Sequence, residues 1–411
     1  MKKTAFSLAV LILAVFLLPP AGAESIVPGP GRPTGTVLPT VTNQNVTREA
    51  FFANGTPITI REPKTDTTGW IHDTEIQNSL KNGFSPKKRP GTGATISWQE
   101  GNETHFVYVS GNSKVFGGSQ NAPVQADVQI TVQGREVRKA FPNVSFLFGG
   151  GYGGDVIGNV HITMEESQMM YVYGGGYNGS VSGDILIETA GNTWCLDIVG
   201  GGLASSMTED AAANVGGNVT LNLRGLMISY MDSLTCGGLA ESISSHTARA
   251  NVAGDVTVYA EGRNVYQVCG GGEAFRTAEN CGYPTADVGG SVSLELRDSR
   301  VRYFEQGKTI LTGGVFAGGL GYYGSARIGG NLNVTVAHTI FDAEALGVVI
   351  GGMAEGKTAD ADTEGSASGS ILEGSNPANV IRGGLLYDGG TAEVKGDLTW
   401  SYTLRDGVNE Y

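Results

Sequence analysis

The stretch starting at Gly149 reads GGGYGGDVIGNVHI, and 25 residues later Gly174 begins GGGYNGSVSGDILI. Both fit GGGY-x-G-x-V-x-G-[N/D]-[V/I]-x-I. Looser copies follow as IVGGG…NVGGNVTLNL, TCGGL…NVAGDVTVYA, VCGGG…DVGGSVSLEL, FAGGL…RIGGNLNVTV, VIGGM…SASGSIL and IRGGL…EVKGDLTW, and a degenerate copy, VFGGS…VQADVQITV, precedes them. Self-similarity at this period means stacked units, each touching only its neighbours. Each copy holds two short strands. The first ends at the glycines, and the residues two places before them are Val115, Leu147, Val172, Ile198, Thr235, Val268, Phe316, Val349 and Ile381. The second alternates with period two, so Val219, Leu221 and Leu223 point inward and Thr220 and Asn222 outward. The pairs Val256/Val258, Val292/Leu294 and Leu332/Val334 repeat that alternation. No segment between the strands has a helical period, which excludes βαβ units. The expected fold is all-β, a parallel β-helix (β-solenoid) of about nine coils with an N-terminal β cap.

Two motif matches inside the repeat point to chemistry that the repeat itself argues against. Gly150 to Gly158 fits the calcium nonapeptide G-G-x-G-x-D-x-U-x. Such a site needs carboxylates from consecutive units, yet Ser180 stands where the first copy has Asp155, and no later acid is expected in that register. Gly149, Gly151 and Gly154 fit G-x-G-x-x-G, but the residues that follow, VIGNVHI, read as a strand where a dinucleotide site needs a helix. The glycines are expected to serve the corners, where only glycine takes φ > 0 cheaply. No catalytic, cofactor or metal site is expected.

The turn before the second strand carries Asp127, Asn159, Asp184, Asn218, Asp255, Ser291, Asn331, Ser370 and Asp397. Stacked, these side chains would form a polar ladder. No aspartate follows another, and two carboxylates ~4.8 Å apart would repel by about 1 kcal/mol even in bulk water.

Copies differ in length mainly between the glycines and the second strand. The long insertions, Leu203 to Val215, Leu239 to Ala253, Glu273 to Val288 and Met353 to Ala367, are expected as loops along one edge of the rod, a surface for binding. The drift of loop length at little cost is the plainer explanation. Cys236 and Cys269 are read as equivalent positions in consecutive coils, with Cys281 in the following loop and Cys195 one coil earlier. Four cysteines allow three pairings, and buried thiols serve as well as one bridge. No CxxC or CxxH spacing suggests a metal.

The ends set the compartment and boundaries. Lys2 and Lys3, the apolar run Ala5 to Leu18 and Ala21-Gly22-Ala23 read as a secretory signal peptide over 1–23. No cysteine near the cleavage site suggests a lipid anchor, and no membrane insertion is expected once the signal is cleaved. Residues 24–50 are Pro/Thr-rich and read as an extended linker; 51–111 read as strands capping the first coil, and 112–411 as the repeat domain. With net charge −13 and pI near 4.9, the chain lacks the basic surface that nucleic acids or anionic membranes require.

The repeat resembles the glycine-rich adhesin-like β-helix proteins exported by anaerobic bacteria, over roughly residues 112–400. It is close at VYGGGYNGSVSGDILIETAG, Val172 to Gly191. The resemblance implies a secreted or cell-surface rod whose partner is a glycan or a host or cell-surface protein. The competing class is a β-helix polysaccharide lyase or glycoside hydrolase, the latter needing two carboxylates facing a sugar. Against it, the acids Glu209-Asp210, Asp360, Asp362 and Glu364 cluster in loops, and His72, His105, His161, His246 and His338 are scattered. Ice binding would need a flat threonine face. The outward row Gln129, His161, Leu186, Thr220, Thr257, Ser293, Asn333 is too irregular for that.

Overall fold

A computed structural model describes residues 30–38, 48–61, 93–111, 113–134, 143–225, 231–306, 309–311, 313–404 and 407–409. The signal segment, His72 and the basic stretch SPKKRPGT of the N-terminal cap lie outside them. The described chain is a parallel β-helix with no helical element. Strands that end at the glycines stack as one 13-stranded sheet, and those that follow the polar turn stack as another.

Alternation builds the interior. Val160, Ile185, Val219, Val256, Val292, Leu332 and Ala367 lie in register on consecutive coils of the second sheet, all at most 1% exposed. The first sheet supplies Leu147, Val172, Ile198, Leu234, Val268, Val315 and Val348 opposite them. The residues two places before the glycines therefore do not form one row. Thr235, Phe316, Val349 and Ile381 are level with Val199 and Cys269 and face away from the interior. In those copies Cys236, Ala317, Ile350 and Arg382 occupy the place of the first glycine, which shifts the count by one.

The glycine corners also have a different cause from the expected one. Gly149 and Gly174 are absent from the positive-φ glycines. A Cβ on Gly149 would lie 2.1 Å from the Gly174 carbonyl oxygen, and one on Gly174 would lie 2.0 Å from that of Gly200. The coils approach too closely there for any side chain. Left-handed backbone sits a few residues on, at Gly153 (φ 68°) and its counterpart Asn178 (φ 51°).

The polar ladder is present with one rung changed. Asp127, Asn159, Asp184, Asn218, Asp255, Ser291, Asn331 and Ser366 each accept the backbone N–H of the next rung at 2.7–3.1 Å, ending at Asp397. Ser366 replaces Ser370, which instead sits within a strand opposite Thr335 and Ser401. A second ladder runs beside it through Asp155, Ser180, Asn214, Asn251 and Asp287 to Arg327. Later acids therefore do stand in the register of Asp155, at Asp287 and Asp362, and their carboxylates accept backbone amides. Among the described residues no cluster of His, Cys, Asp and Glu could hold a metal ion.

Two segments are more ordered than expected. Thr34–Leu38 of the linker pairs antiparallel with Arg48–Phe52, and Asn54 donates from its side chain to the Arg32 carbonyl at 2.7 Å. Ile58–Arg61 joins the parallel stack directly on Val128–Gln133, while the hairpin Gly93–Glu100 and Glu103–Ser110 covers its outer side. The insertions, expected as loops, begin as a third parallel sheet: Leu203–Ser206, Leu239–Ser242, Glu273–Arg276, Leu320–Tyr322, Met353–Glu355 and Leu385–Tyr387. Alanines seal it, with Ala204, Ala240, Ala274 and Ala286 at 0% exposure. Side chains this small let the insertion fold back flat on its own strand. Deleting Thr358 to Thr363, a change that a free loop would tolerate, should therefore lower the melting temperature clearly. It removes buried Ala359, Ala361 and Thr363 and the bridges of Asp360 to Ser325 and Thr391. An unchanged melting curve would contradict the third sheet.

Candidate functional site

Between the outer face of the first sheet and the third sheet, side chains pack as a second apolar cluster, and half-buried Asp197, Ser233, Gln267 and Glu273 beside it complete a strip along the rod, the trough. Alternation that turns Val172 inward turns Tyr171 and Tyr173 outward. Phe52, Phe116, Phe148 and Tyr173 stack coil on coil as a seam, with ring centroids 5.0, 4.8 and 4.5 Å apart. Tyr152 and Tyr177 stack at 5.3 Å on the other wall. The walls face each other edge-on, with Phe116 meeting Tyr152 at 5.7 Å and Phe148 meeting Tyr177 at 6.1 Å.

Further along, the seam changes character. In register after Tyr173 come Val199, Thr235 and Cys269, before Phe316 restores a ring. The opposite row runs Tyr152, Tyr177, Leu203, Leu239, Glu273 and Leu320. The neighbouring rows carry Phe146, Tyr171, Asp197, Ser233 and Gln267 on one wall and Ser205, Glu241, Phe275 and Tyr322 on the other. Carboxylates thus replace rings over these coils. Thr235 donates its hydroxyl across the trough to Glu273 Oε2 at 3.3 Å, and the Ser233 amide donates to Asp197 Oδ1 at 3.0 Å.

Surroundings this apolar disfavour charge. Burial pushes Asp197 up to about 8, helped by the nearby charges of Asp232 and Glu273 and opposed by the Ser233 amide. Glu241, 8% exposed, is pushed up to about 7 by burial and by Glu273, against a hydrogen bond from Ser205. Glu273 is raised to about 7 by burial, against the Thr235 hydroxyl. Among the described residues no Lys, Arg or His pairs with these three acids or with Asp232. The Tyr173 hydroxyl, on a residue 1% exposed, has no hydrogen-bond partner, and the charges of Asp197 and Glu241 act on it.

These shifts have a sign. Carboxylates with raised folded pKa values contribute full stability below their unfolded values near 4, and that contribution is lost as pH rises towards 7–8. The melting temperature should fall between pH 5 and pH 8, and the variant Asp197→Asn/Glu241→Gln/Glu273→Gln should flatten that fall. A wild-type profile that rises through this window would rule the trough's electrostatics out.

The acids singled out from sequence lie elsewhere. Asp210 is exposed, and its carboxylate accepts the Thr247 amide at 2.8 Å, which holds it below the usual range. Asp360 pairs with Arg327 at 3.7 Å, and Lys395 pairs with Asp362 and Glu364 at 3.6 and 2.6 Å. The described histidines stay dispersed: His105 stacks on Trp98, His161 meets Glu188, His246 meets Asp210 and His338 meets Asp298. All four cysteines are free. Cys236 and Cys269 are not equivalent: Cys195 and Cys236 belong to the inner core, whereas Cys269 lies level with Thr235 on the trough floor. The signal that would have revealed the trough is the outward half of each strand, aligned in register, where Asp197 follows Phe146 and Tyr171.

Comparison with protein-family models, with curated proteins and with solved structures finds no match for this chain.

Proposed function

We propose that the chain is an exported, adhesin-like solenoid that acts by binding a glycan, and that the glycan lies along the trough. The observation that carries this reading is the break in the ring seam, where Asp197, Glu241 and Glu273 gather between aromatic walls. Aromatic faces suit the apolar faces of sugars, and buried carboxylates suit their hydroxyls. The insertion edge supports the reading less well. Its acids are committed to ion pairs and to backbone amides, and its residues pack as a sheet. Export rests on the lysines and apolar run of residues 1–23.

Glycan-array binding of the mature chain tests this with two bulky probes. Ser233→Trp, in the half-buried row beside Asp197, should abolish binding. Thr208→Trp, at the exposed turn of an insertion, should leave it intact. The reverse pattern would return the site to the insertion edge. One observation favours a second reading as a glycoside hydrolase: carboxylates of raised pKa on both walls of the trough, Asp197 on one and Glu241 and Glu273 on the other, are what acid–base cleavage uses. Release of reducing ends that is lost in Glu241→Gln or Glu273→Gln would decide for it.

A further inference from the structure

Resting on the trough as the glycan site, we infer that the sugar it selects carries a free ammonium group, an unacetylated amino sugar. The cation of the Asp197 wall, buried Lys114, lies over the Phe146 ring, three coils before Asp197. Asp197, Asp232, Glu241 and Glu273 have no basic partner among the described residues, although Arg327, Lys395 and Arg300 elsewhere on the rod are paired with acids. Burial beside rings favours the neutral forms of the trough acids, and an ammonium group on the ligand would stabilise their ionised forms in turn.

The Tyr173 hydroxyl points to a ligand independently of the acids. It is almost wholly buried, its ring is fixed by stacking on Phe148 at 4.5 Å, and its oxygen finds no partner in the protein. A buried hydroxyl without a partner costs free energy, and this one sits under the influence of both Asp197 and Glu241. An ammonium offers three N–H donors in a compact head, matching two carboxylates and one phenol oxygen. Tyr171, Phe275 and Tyr322 add ring faces and edges around the same coils, and rings favour cations further. No set of three ligating side chains suits a metal ion among the described residues, so a bare divalent cation fits less well.

The remainder of the site favours a sugar over a simple amine. Ser233 and Gln267 are half-buried and continue the row of Asp197 along the wall. They offer partners to ring hydroxyls, which an aliphatic polyamine lacks.

Isothermal titration of the mature chain near neutral pH tests the inference, with glucosamine hexamer, N-acetylglucosamine hexamer and spermidine as probes. The glucosamine hexamer should bind roughly tenfold or more tightly than either of the others, the scale of one desolvated ionic hydrogen bond. Glu241→Gln/Glu273→Gln should erase that preference, and Tyr173→Phe should weaken binding severalfold, each with an unchanged circular dichroism spectrum. Ser233→Trp should block it. Equal binding of the acetylated hexamer overturns the ammonium, and equal binding of spermidine overturns the sugar. If the glucosamine hexamer fails to bind while another glycan binds and is blocked by Ser233→Trp, the inference falls and the trough stands. If Ser233→Trp blocks nothing that binds, the trough itself falls.

Discussion

Gly174→Ala is expected to destabilise the rod by about 3 kcal/mol or more, although alanine is the smallest side chain that could be added. Its methyl would lie 2.0 Å from the Gly200 carbonyl oxygen and 2.6 Å from Ile185 Cγ2. The first contact is backbone, fixed by the N–H donated from Gly175 to Gly201 at 2.9 Å, so relief requires two coils to separate. Gly101 provides the contrast. It has φ +64° and nothing within 4 Å of an added Cβ, so alanine there should cost only the left-handed backbone penalty, roughly 1–2 kcal/mol. Thermal melts followed by circular dichroism compare the two. A smaller loss at Gly174 than at Gly101 would show that the corners depend on φ and not on close approach.

The second large effect is expected at Val256→Asp. Val256 is 0% exposed and is held between Val219 and Val292 on the neighbouring coils. A carboxylate there would have no hydrogen-bond donor or cation to meet, at a cost of several kcal/mol. Its neighbour Thr257 is exposed and faces out, so Thr257→Asp should change stability by no more than about 0.5 kcal/mol. Similar losses for both would mean that the inward face has been assigned wrongly.

Most of the architecture was legible because a two-residue alternation and a glycine corner leave few choices. Val219, Leu221 and Leu223 point inward as their spacing requires, and eight of the nine ladder positions stand where the turn motif put them. The slips have one cause. Counting from a glycine pair misplaces Thr235, Phe316, Val349 and Ile381, because Cys236, Ala317, Ile350 and Arg382 replace a glycine without changing the backbone path. The insertions were harder to read, since alternating small residues such as LASS and LAES give no apolar signal. Their strands are defined by pairing with the next coil. The trough was missed for a related reason. Asp197, Glu241 and Glu273 are far apart in sequence, and only the register of two sheets brings them to one place. Loop acids attract attention in a sequence, yet here they neutralise Arg327 and Lys395 or cap backbone amides.

Carboxyl NMR titration of the ¹³C-labelled chain tests most directly whether Asp197, Glu241 and Glu273 share one shielded trough. All three should titrate near neutrality, Glu241 and Glu273 at about 7 and Asp197 at about 8, while exposed Asp210 titrates below the usual carboxylate range. In Glu273→Gln the midpoints of Asp197 and Glu241 should both move down, because the charge that raises them is gone. Three midpoints near 4 in the wild type, with those of Asp197 and Glu241 unmoved in Glu273→Gln, would contradict the trough.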